Sequence, residues 1–306
     1  MKKMKLAVAV TSLASALAAM PVLAADKNPA IFPTDVLDLF SGGVAATYTF
    51  TSTKTDATYT NGAVTDVESG KFTSNMMQWR ADVGLGYGLQ IGAYQNIELG
   101  ARDEFSWNGA TPTINKTSGG YNPLYQIKWN LMQIVDAKNP VQVLLSYRVK
   151  PKGVASKSVS DDYTQNTGTA IVSYKIADFR TYLGYEYSQF GKEGTSGNSF
   201  DMGHENSILV GAEYQLMKGL DLTLDYTATI AGGAPIRTES YATNTVTLGA
   251  QYKLPGLDKV NLYVSPFFKA SVVGEQTLDA VQVGADSAKI DSYVAYSGGL
   301  TLKAVF

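Results

Sequence analysis

The chain has 306 residues, 45% of them hydrophobic, and its 25 Lys and Arg against 27 Asp and Glu leave a formal charge of −2. This near-neutral balance argues against a nucleic-acid partner, and the absence of cysteine excludes disulfides, thiolate metal sites and a cysteine nucleophile. The 29 Gly and 19 Tyr, with only 17% charged residues, suit many strands joined by turns.

The N-terminus has the pattern of an export signal. Lysines precede an uncharged run from Leu6 to Leu23, and Val22 and Ala24 suit the −3 and −1 positions of a signal-peptidase site. We predict that residues 1–24 are a cleaved signal peptide. A retained transmembrane helix is the alternative, which the polar residues directly after Ala25 disfavour.

Residues 25–42 show no alternation of polar and apolar positions. Thr34 is placed to cap a short helix with Val36, Leu37 and Phe40 on one side, and Gly42 stands where that helix would stop. Two placements are open. The segment either enters the interior of the following domain as a plug or lies outside it, on the periplasmic membrane surface.

From residue 43 to 306, apolar and polar residues alternate in repeated segments, as in 141–150, 220–229 and 245–254. The pattern predicts about twelve strands, each near the roughly 9–11 residues with which a tilted strand crosses a membrane. Their predicted spans are 43–53, 75–87, 96–107, 121–135, 141–150, 165–176, 179–190, 205–216, 220–230, 242–254, 260–271 and 292–306.

The predicted connections alternate in length. The tight ones are 136–140, 177–178, 217–219 and 255–259, and the long ones are 54–74, 108–120, 151–164, 191–204, 231–241 and 272–291. Short periplasmic turns and long extracellular loops are typical of an outer-membrane barrel. A soluble β-sandwich has the same alternation within strands, but does not require every second connection to be long. We therefore predict an all-β fold, a transmembrane antiparallel β-barrel over residues 43–306.

Five strands that run toward a short turn or the C-terminus end in an aromatic residue after two alternating apolar positions. These residues are Tyr87, Tyr174, Tyr214, Tyr252 and Phe306. At one height they would form a periplasmic aromatic girdle at the level of the lipid headgroups. Core tyrosines of a sandwich are the alternative, but a core would not place them all at equivalent strand ends.

The last strand ends in alternating Leu300, Leu302, Ala304 and Phe306. It resembles the C-terminal segment of Gram-negative outer-membrane β-barrel proteins, which ends in an aromatic residue, usually Phe. The resemblance implies that the barrel-assembly machinery recognises Phe306. A narrower resemblance rests on the segments 83–89 and 96–102, which are similar to the tight-turn hairpin of an outer-membrane family of MetA-type phenol-degradation pathway proteins. Members of that family are presumed to admit small, often hydrophobic or aromatic, compounds.

If the apolar positions face lipid, the charged residues at the opposite positions line the lumen, because Arg or Lys at the bilayer centre costs roughly 2–4 kcal/mol. The predicted lumen residues are Arg80, Asp82, Glu98, Arg102, Glu104, Lys128, Arg148, Lys175, Arg180, Glu186, Glu213, Asp221, Asp225, Lys253, Lys269 and Lys303. Asp103 departs from this pattern. It falls on the lipid-facing side, which is tolerable only if it lies at the outer headgroup level or if a bulge shifts the register.

Strand pairing predicts which of these charges meet. A hairpin that turns near Ile91 would place Arg80 near Glu104 and Asp82 near Arg102, where opposite charges neutralise one another.

The connection 136–140 would place Lys128 opposite Arg148, a like-charge pair that an anionic solute would relieve. Lys128, Arg148 and Arg180 are therefore the candidates for contact with a solute.

An enzyme is the less favoured class. The barrel enzymes of outer membranes use a catalytic histidine, and the only histidine here is His204, from which Ser207 points to the opposite face of the strand. A lone histidine with scattered carboxylates makes a poor transition-metal site. We predict no enzyme activity, catalytic residue, metal or cofactor.

The sequence predicts an outer-membrane channel for passive diffusion of small solutes, anionic or aromatic, through a charged lumen. The alternative is a closed barrel with a structural or surface-interaction role. For that role the acidic last loop, with Glu275, Asp279, Asp286 and Asp291 against Lys289, would suit divalent cations between lipopolysaccharide groups or a protein partner.

Overall fold

A computed structural model describes residues 33–61, 64–136, 139–152, 163–193, 200–201, 203–232, 240–255, 260–278 and 287–306. The predicted signal peptide lies outside the described residues, as do parts of the predicted loops 151–164, 191–204, 231–241 and 272–291. Among the residues described, no helix has the length and hydropathy of a transmembrane span.

The described residues form strands and one short helix. The strands are β1 (Gly42–Asn61), β2 (Val64–Gly86), β3 (Leu89–Trp107), β4 (Thr113–Gly120), β5 (Leu124–Asn130), β6 (Val141–Lys150), β7 (Gln165–Ile176), β8 (Phe179–Phe190), β9 (Lys192–Glu193), β10 (Phe200–Asp201), β11 (His204–Met217), β12 (Leu220–Ala231), β13 (Tyr241–Leu254), β14 (Asn261–Val273), β15 (Gln276–Leu278), β16 (Ser287–Ile290) and β17 (Tyr293–Val305). The helix is α1 (Met132–Val135).

The strands close into a barrel. Each barrel strand pairs antiparallel with its neighbour along the chain, and β1 pairs with both β2 and β17, which gives a closed barrel of 12 strands when β4 and β5 are taken as the two halves of one strand. The predicted fold class is therefore confirmed. Closure leaves every barrel strand with hydrogen-bonding partners on both edges, which a structure in a bilayer requires.

The seam between β1 and β17 carries side-chain bonds as well as the backbone ladder. The hydroxyls of Thr47 and Thr301 lie 2.8 Å apart inside the barrel, and those of Thr51 and Ser297 lie 3.0 Å apart. At the end of the seam, the N–H of Phe306 donates to the carbonyl of Gly42 over 3.0 Å. The last residue is thus bonded to the first strand.

Several predicted spans differ from the observed ones. The predicted loop 54–74 is strand, because β1 and β2 continue past the apolar belt as a polar hairpin. The predicted strand 121–135 is shorter and ends in α1, and part of the predicted loop 108–120 forms β4. In these segments Thr, Ser and Asn occupy both faces of the strand in turn, so no alternation of polar and apolar residues marks the strand.

The outer surface of the barrel carries an apolar belt. Large side chains such as Trp79 (52% exposed), Leu183 (60%) and Leu248 (53%) point away from the interior. Apolar surface left in water costs about 25 cal/mol per Å², so a belt of this kind requires hydrocarbon around it. Opposite positions on the same strands face inward and are polar, as predicted from the alternation.

The turn between β2 and β3 consists of Tyr87 and Gly88, both with positive φ (51° and 74°). This is the two-residue turn whose twist matches a hairpin, and it suits glycine at its second position. A Cβ on Gly88 would also lie 2.1 Å from the carbonyl oxygen of Asn130. The predicted turn near Ile91 is therefore wrong, because the turn lies nearer the N-terminus.

The Gly88→Val variant is expected to lower the free energy of unfolding by about 1–3 kcal/mol, since a β-branched residue is strained at positive φ and the new methyl groups meet Asn130. A urea titration followed by the gel shift between the folded and the unfolded barrel measures this. Gly100→Ala is the matched control, because nothing lies within 4 Å of a Cβ there. A loss no larger than that of the control would contradict the role given to Gly88.

Strand β3 contains a bulge at Leu99. Asn75 of β2 pairs with Gly100 and Met76 pairs with Glu98, so Leu99 has no partner. Each residue after the bulge therefore faces the side opposite to the one that simple alternation predicts. Asp103 is buried on the inner side, as the bulge hypothesis allowed.

Candidate functional site: the barrel interior

The interior wall carries most of the charges predicted for it. Arg80, Asp82, Glu98, Lys128, Arg148, Glu186, Glu213 and Lys269 are buried on the inner face. Arg102 and Glu104 are not lumen residues. The bulge at Leu99 turns both outward, where the guanidinium of Arg102 pairs with the carboxylate of Glu104.

The first inner ion pair joins two residues of one strand. The guanidinium of Arg80 binds the carboxylate of Asp82, with Nη2 2.9 Å from Oδ1, and Gln90 donates to the same oxygen over 2.9 Å. The cation also lies 4.6 Å from the ring centroid of Tyr94. Because the turn lies at Tyr87 and Gly88, Arg80 is opposite Tyr94, and the predicted contact with Glu104 is wrong.

The same shift changes the partner of Asp82. It lies opposite Gly92, and the predicted contact with Arg102 is wrong. The charges of this hairpin do neutralise one another, but each pair is formed within one strand: Arg80 with Asp82 on β2 and Arg102 with Glu104 on β3.

The second pair joins β6 and β8. Arg148 Nη2 lies 2.8 Å from Glu186 Oε2, which also accepts a hydrogen bond from Thr169. Lys128 is opposite Ser146 and Arg148 is opposite Gln126, so the predicted direct opposition of Lys128 and Arg148 is wrong. Helix α1 occupies this connection and moves the register by two residues.

The third pair ties the N-terminal segment to the wall. Arg180 of β8 binds Asp35 (2.7 Å) and Glu213 of β11 (2.6 Å), and so holds two carboxylates with one guanidinium. Arg148 and Arg180, two of the three predicted solute contacts, are therefore already paired with acidic side chains.

Lys128 and Lys303 differ from these arginines. Among the described residues neither forms an ion pair. Lys303 and Arg80 are both register partners of Ala45, whose small side chain leaves space between the two cations. Lys128 pairs in register with Gln90, next to the Arg80 and Asp82 pair. We call Arg80, Lys128 and Lys303 the lumen basic cluster; its nearest carboxylate, Asp82, is already bound by Arg80 and Gln90.

Residues 33–41 lie at the short-turn end of the barrel and are not helical; Thr34 to Asp38 line the interior, whereas Leu39 and Phe40 are exposed. Thr34 is 2% exposed, its hydroxyl lies 2.8 Å from that of Ser173, and its carbonyl accepts from Asn130. The N–H of Leu37 donates to the side chain of Gln90 over 2.8 Å. The predicted helix capped by Thr34 is wrong, because the wall supplies the backbone partners that a helical turn would otherwise provide.

Two further contacts hold this segment. Val36 packs against an apolar cluster on the inner wall that includes Leu144 and Leu209. Gly84 permits the backbone to approach closely, since a Cβ there would lie 2.0 Å from the carbonyl oxygen of Asp38. We call residues 33–41 the lumen strap.

A cavity of about 770 Å³ lies beside the lumen strap. Strap residues line one side of it, and wall residues including Gln142, Arg180, Tyr263 and Lys303 line the other. Most of its lining residues are polar or charged, although Val36, Leu37 and Val305 add apolar surface. This mixture suits water and small hydrophilic or ionic solutes better than a purely apolar compound.

At the long-loop end, Glu68 is buried beyond the apolar belt. Its carboxylate accepts a hydrogen bond from Tyr59 over 3.3 Å. Burial, opposed by the hydrogen bond from Tyr59 and aided by the charge of Asp103, raises the pKa of Glu68 to about 7. Burial and the carboxylate of Glu68 also raise the pKa of Tyr59.

The raised pKa of Glu68 gives the β1–β2 extension a pH-dependent stability. Its folded pKa lies above the ordinary carboxyl value, so its contribution is fully present below about pH 4.5 and is lost as the pH rises to about 7. We expect the protection factors of the amides in 55–69, which compare each exchange rate with the intrinsic rate at the same pH, to be larger at pH 5 than at pH 8, and Glu68→Gln to remove most of this difference. Asp56→Asn, an exposed carboxylate of the same hairpin, is the control. An unchanged pH profile in the Glu68 variant would refute the assignment.

The predicted girdle residues are all exposed on the outer surface. Tyr87, Tyr174, Tyr214, Tyr252 and Phe306 lie at the short-turn end of their strands. Their contact with lipid headgroups, and the recognition of Phe306 during assembly, stay predictions.

A second outer ring was not predicted. Near the long-loop end, tyrosine hydroxyls donate to asparagine side chains on the next strand, with Tyr147 and Asn166 at 2.7 Å and Tyr226 and Asn244 at 2.7 Å. Tyr48 with Asn75 and Tyr185 with Asn206 repeat this arrangement. The signal was present in the sequence, since each Asn lies across one long loop from its Tyr. These tyrosines suit the other boundary of the apolar belt.

His204 lies exposed at the start of β11, with its ring centroid 6.0 Å from that of Tyr187. Ser207 faces the interior and contacts Thr229. In the part of the chain that the structure describes, no group of His, Asp and Glu could hold a metal ion.

The fold is similar to solved outer-membrane proteins. An outer-membrane channel from Pseudomonas putida aligns with 90% of this chain and 99% of its own, at 13% identity and a TM-score of 0.57. The translocator domain of the autotransporter NalP from Neisseria meningitidis aligns with 94% and 96% of the two chains (15% identity, TM-score 0.48), and a FadL homologue from Pseudomonas aeruginosa with 91% and 95% (9%, 0.46). No sequence-family model and no curated protein sequence matches the chain.

Proposed function

We propose that this protein is an outer-membrane channel for the passive diffusion of small solutes, with a preference for anions. The observation that carries this proposal is the contrast between the apolar outer belt and a charged interior that contains a cavity of about 770 Å³. An interior of this kind holds water, and unpaired lysines raise the local concentration of anions. The similarity of fold to an outer-membrane channel supports the same class of function.

The site proposed for selectivity is the lumen basic cluster. Lys128 and Lys303 face the interior without an ion pair among the described residues, so an anion is the partner that their charges lack. Arg148 and Arg180 serve mainly to hold the wall and the strap, because acidic side chains bind both. The aromatic solutes suggested by the hairpin resemblance fit this interior if they carry a carboxylate.

Export and assembly complete the proposal. Residues 1–24 direct the chain out of the cytoplasm and are removed, and Phe306 at the end of the seam is recognised by the barrel-assembly machinery. Short turns then face the periplasm and long loops the outside.

Single-channel recording of the refolded protein in a planar bilayer tests the function. We expect stable conductance steps and, in a KCl gradient, a reversal potential that shows anion preference. A barrel that is folded by gel shift but gives no steps would contradict the open channel.

The second candidate is a closed barrel with a structural role. The lumen strap favours it, because these residues occupy part of the interior. If neither the whole protein nor a variant without the strap gives conductance steps, this alternative would be supported.

A further inference from the structure

Four cations face outward on neighbouring strands at the long-loop end. Lys54 of β1 is directly opposite Lys71 of β2, and Arg102 of β3 is directly opposite Lys116 of β4. All four are exposed. Lys71 pairs in register with Glu104, two residues from Arg102, so the two pairs adjoin and form one surface. We call these four residues the outer basic patch.

The patch has four cations and two acids beside it, because Asp56 is exposed two residues from Lys54 on the same face of β1 and Glu104 lies opposite Lys71. Glu104 is bound by Arg102, and among the described residues Lys54, Lys71 and Lys116 form no ion pair. Like charges directly opposite each other destabilise a sheet unless an anion lies between them. Lys289, which lies opposite Thr58 further along the hairpin, shows the contrast, because Glu275 and Asp291 both pair with it.

The height of the patch fits the polar layer of a membrane. On β1 the outward residues run from Tyr48 and Phe50 through Ser52 to Lys54. The four residues of strand from Phe50 to Lys54 cover about 13 Å, which is roughly 10 Å along the membrane normal at the tilt of a barrel strand. Lys54 therefore lies roughly 10 Å above Phe50 and higher again above Tyr48, which belongs to the ring of Tyr and Asn pairs. This height is outside the hydrocarbon, on the side where lipid headgroups carry their phosphates.

The four cations lie on adjacent strands, and among the described residues the only other exposed lysine at this end outside the β1–β4 region is Lys152, which follows β6. The outward residues at the long-loop ends of β8, β13 and β14 are Gln189, Ala242 and Val272, which carry no charge. A general attraction of the barrel to the membrane surface would not require the four cations to lie on neighbouring strands. A single bound molecule would require it.

We propose that the outer basic patch binds the phosphates of one lipopolysaccharide molecule in the outer leaflet, with its acyl chains on the apolar belt below. Lysine and arginine are the side chains that bind phosphate, and phosphorylated glycolipid is the anion present at this height. This binding goes beyond the channel function and does not depend on whether the lumen conducts.

Native mass spectrometry of the whole purified barrel with lipid A tests the proposal. We expect wild type to bind diphosphorylated lipid A more tightly than the same lipid without phosphates. In Lys54→Gln/Lys71→Gln/Arg102→Gln the affinity for the phosphorylated lipid should fall roughly a hundredfold, since each cation near an anionic surface contributes a factor of about five.

The control is Lys218→Gln/Lys253→Gln, which removes exposed cations at the short-turn end and is expected to bind like wild type. Gel shift and single-channel conductance, both unchanged, would show that the triple variant is folded and its lumen intact. Equal binding by the triple variant and wild type, or equal binding of both lipids by wild type, would overturn the proposal and leave only acyl-chain contact.

Discussion

The Lys128→Glu/Lys303→Glu variant is expected to change the channel from anion-preferring to cation-preferring. Both lysines face the lumen without an ion pair among the described residues, so the substitution reverses two unneutralised charges. Arg80 and Asp82 stay paired and contribute little to the difference. In a KCl gradient the reversal potential should change sign.

Two further variants make this result specific. Lys128→Gln/Lys303→Gln removes the charges without reversing them and should leave the channel with little preference. Arg148→Gln/Glu186→Gln removes one charge of each sign from a bonded pair and should change selectivity much less. A charge-reversed variant that conducts with the wild-type reversal potential would place selectivity elsewhere.

Deletion of residues 26–40 is expected to raise the single-channel conductance several-fold. The lumen strap occupies interior space beside the cavity, and its removal leaves Ser41 and Gly42 to bond Gly84 and Phe306 as before. The barrel should therefore remain folded, with a wider passage for ions.

Point variants separate occupation of the lumen from attachment of the strap. Val36→Asp would place a carboxylate against the apolar cluster around Leu144, and Asp35→Asn would weaken the bond to Arg180. Both should give longer or more frequent open states, and Asp38→Asn, an exposed residue of the same strap, should not. A deletion with the wild-type conductance would mean that the strap does not limit the current.

Alternation was sufficient to predict the barrel and most of the wall. It placed Lys128, Arg148 and Glu186 inside and Tyr174 and Tyr214 outside because a strand has no other means of separating its faces. It failed for Arg102 and Glu104 because Leu99 adds one residue to the strand, and no composition change marks that bulge.

The register between paired strands was harder to predict than the side of the strand that each residue faces. The register of a hairpin depends on which residues form its turn, and the glycines at 84, 86 and 88 left several choices; an error of a few residues there separated Arg80 from its true neighbour Tyr94.

The conformation of the lumen strap was wrongly predicted for a related reason. Thr34 is a good helix cap, but the partners that decided its conformation, Ser173 and Asn130, lie about a hundred residues away or more.

The seam between β1 and β17 sets the order of assembly. Residues 47 and 301, whose hydroxyls meet there, stand at opposite ends of the chain, so the ring cannot shut until the final strand has emerged from synthesis and export. Until then both outer edges of the sheet are open and able to join the wrong chain. The pairing of β17 with β1 is therefore the assembly step at which misfolding or aggregation is most expected. A chaperone or insertion factor that covers the two open edges until then would protect the chain most.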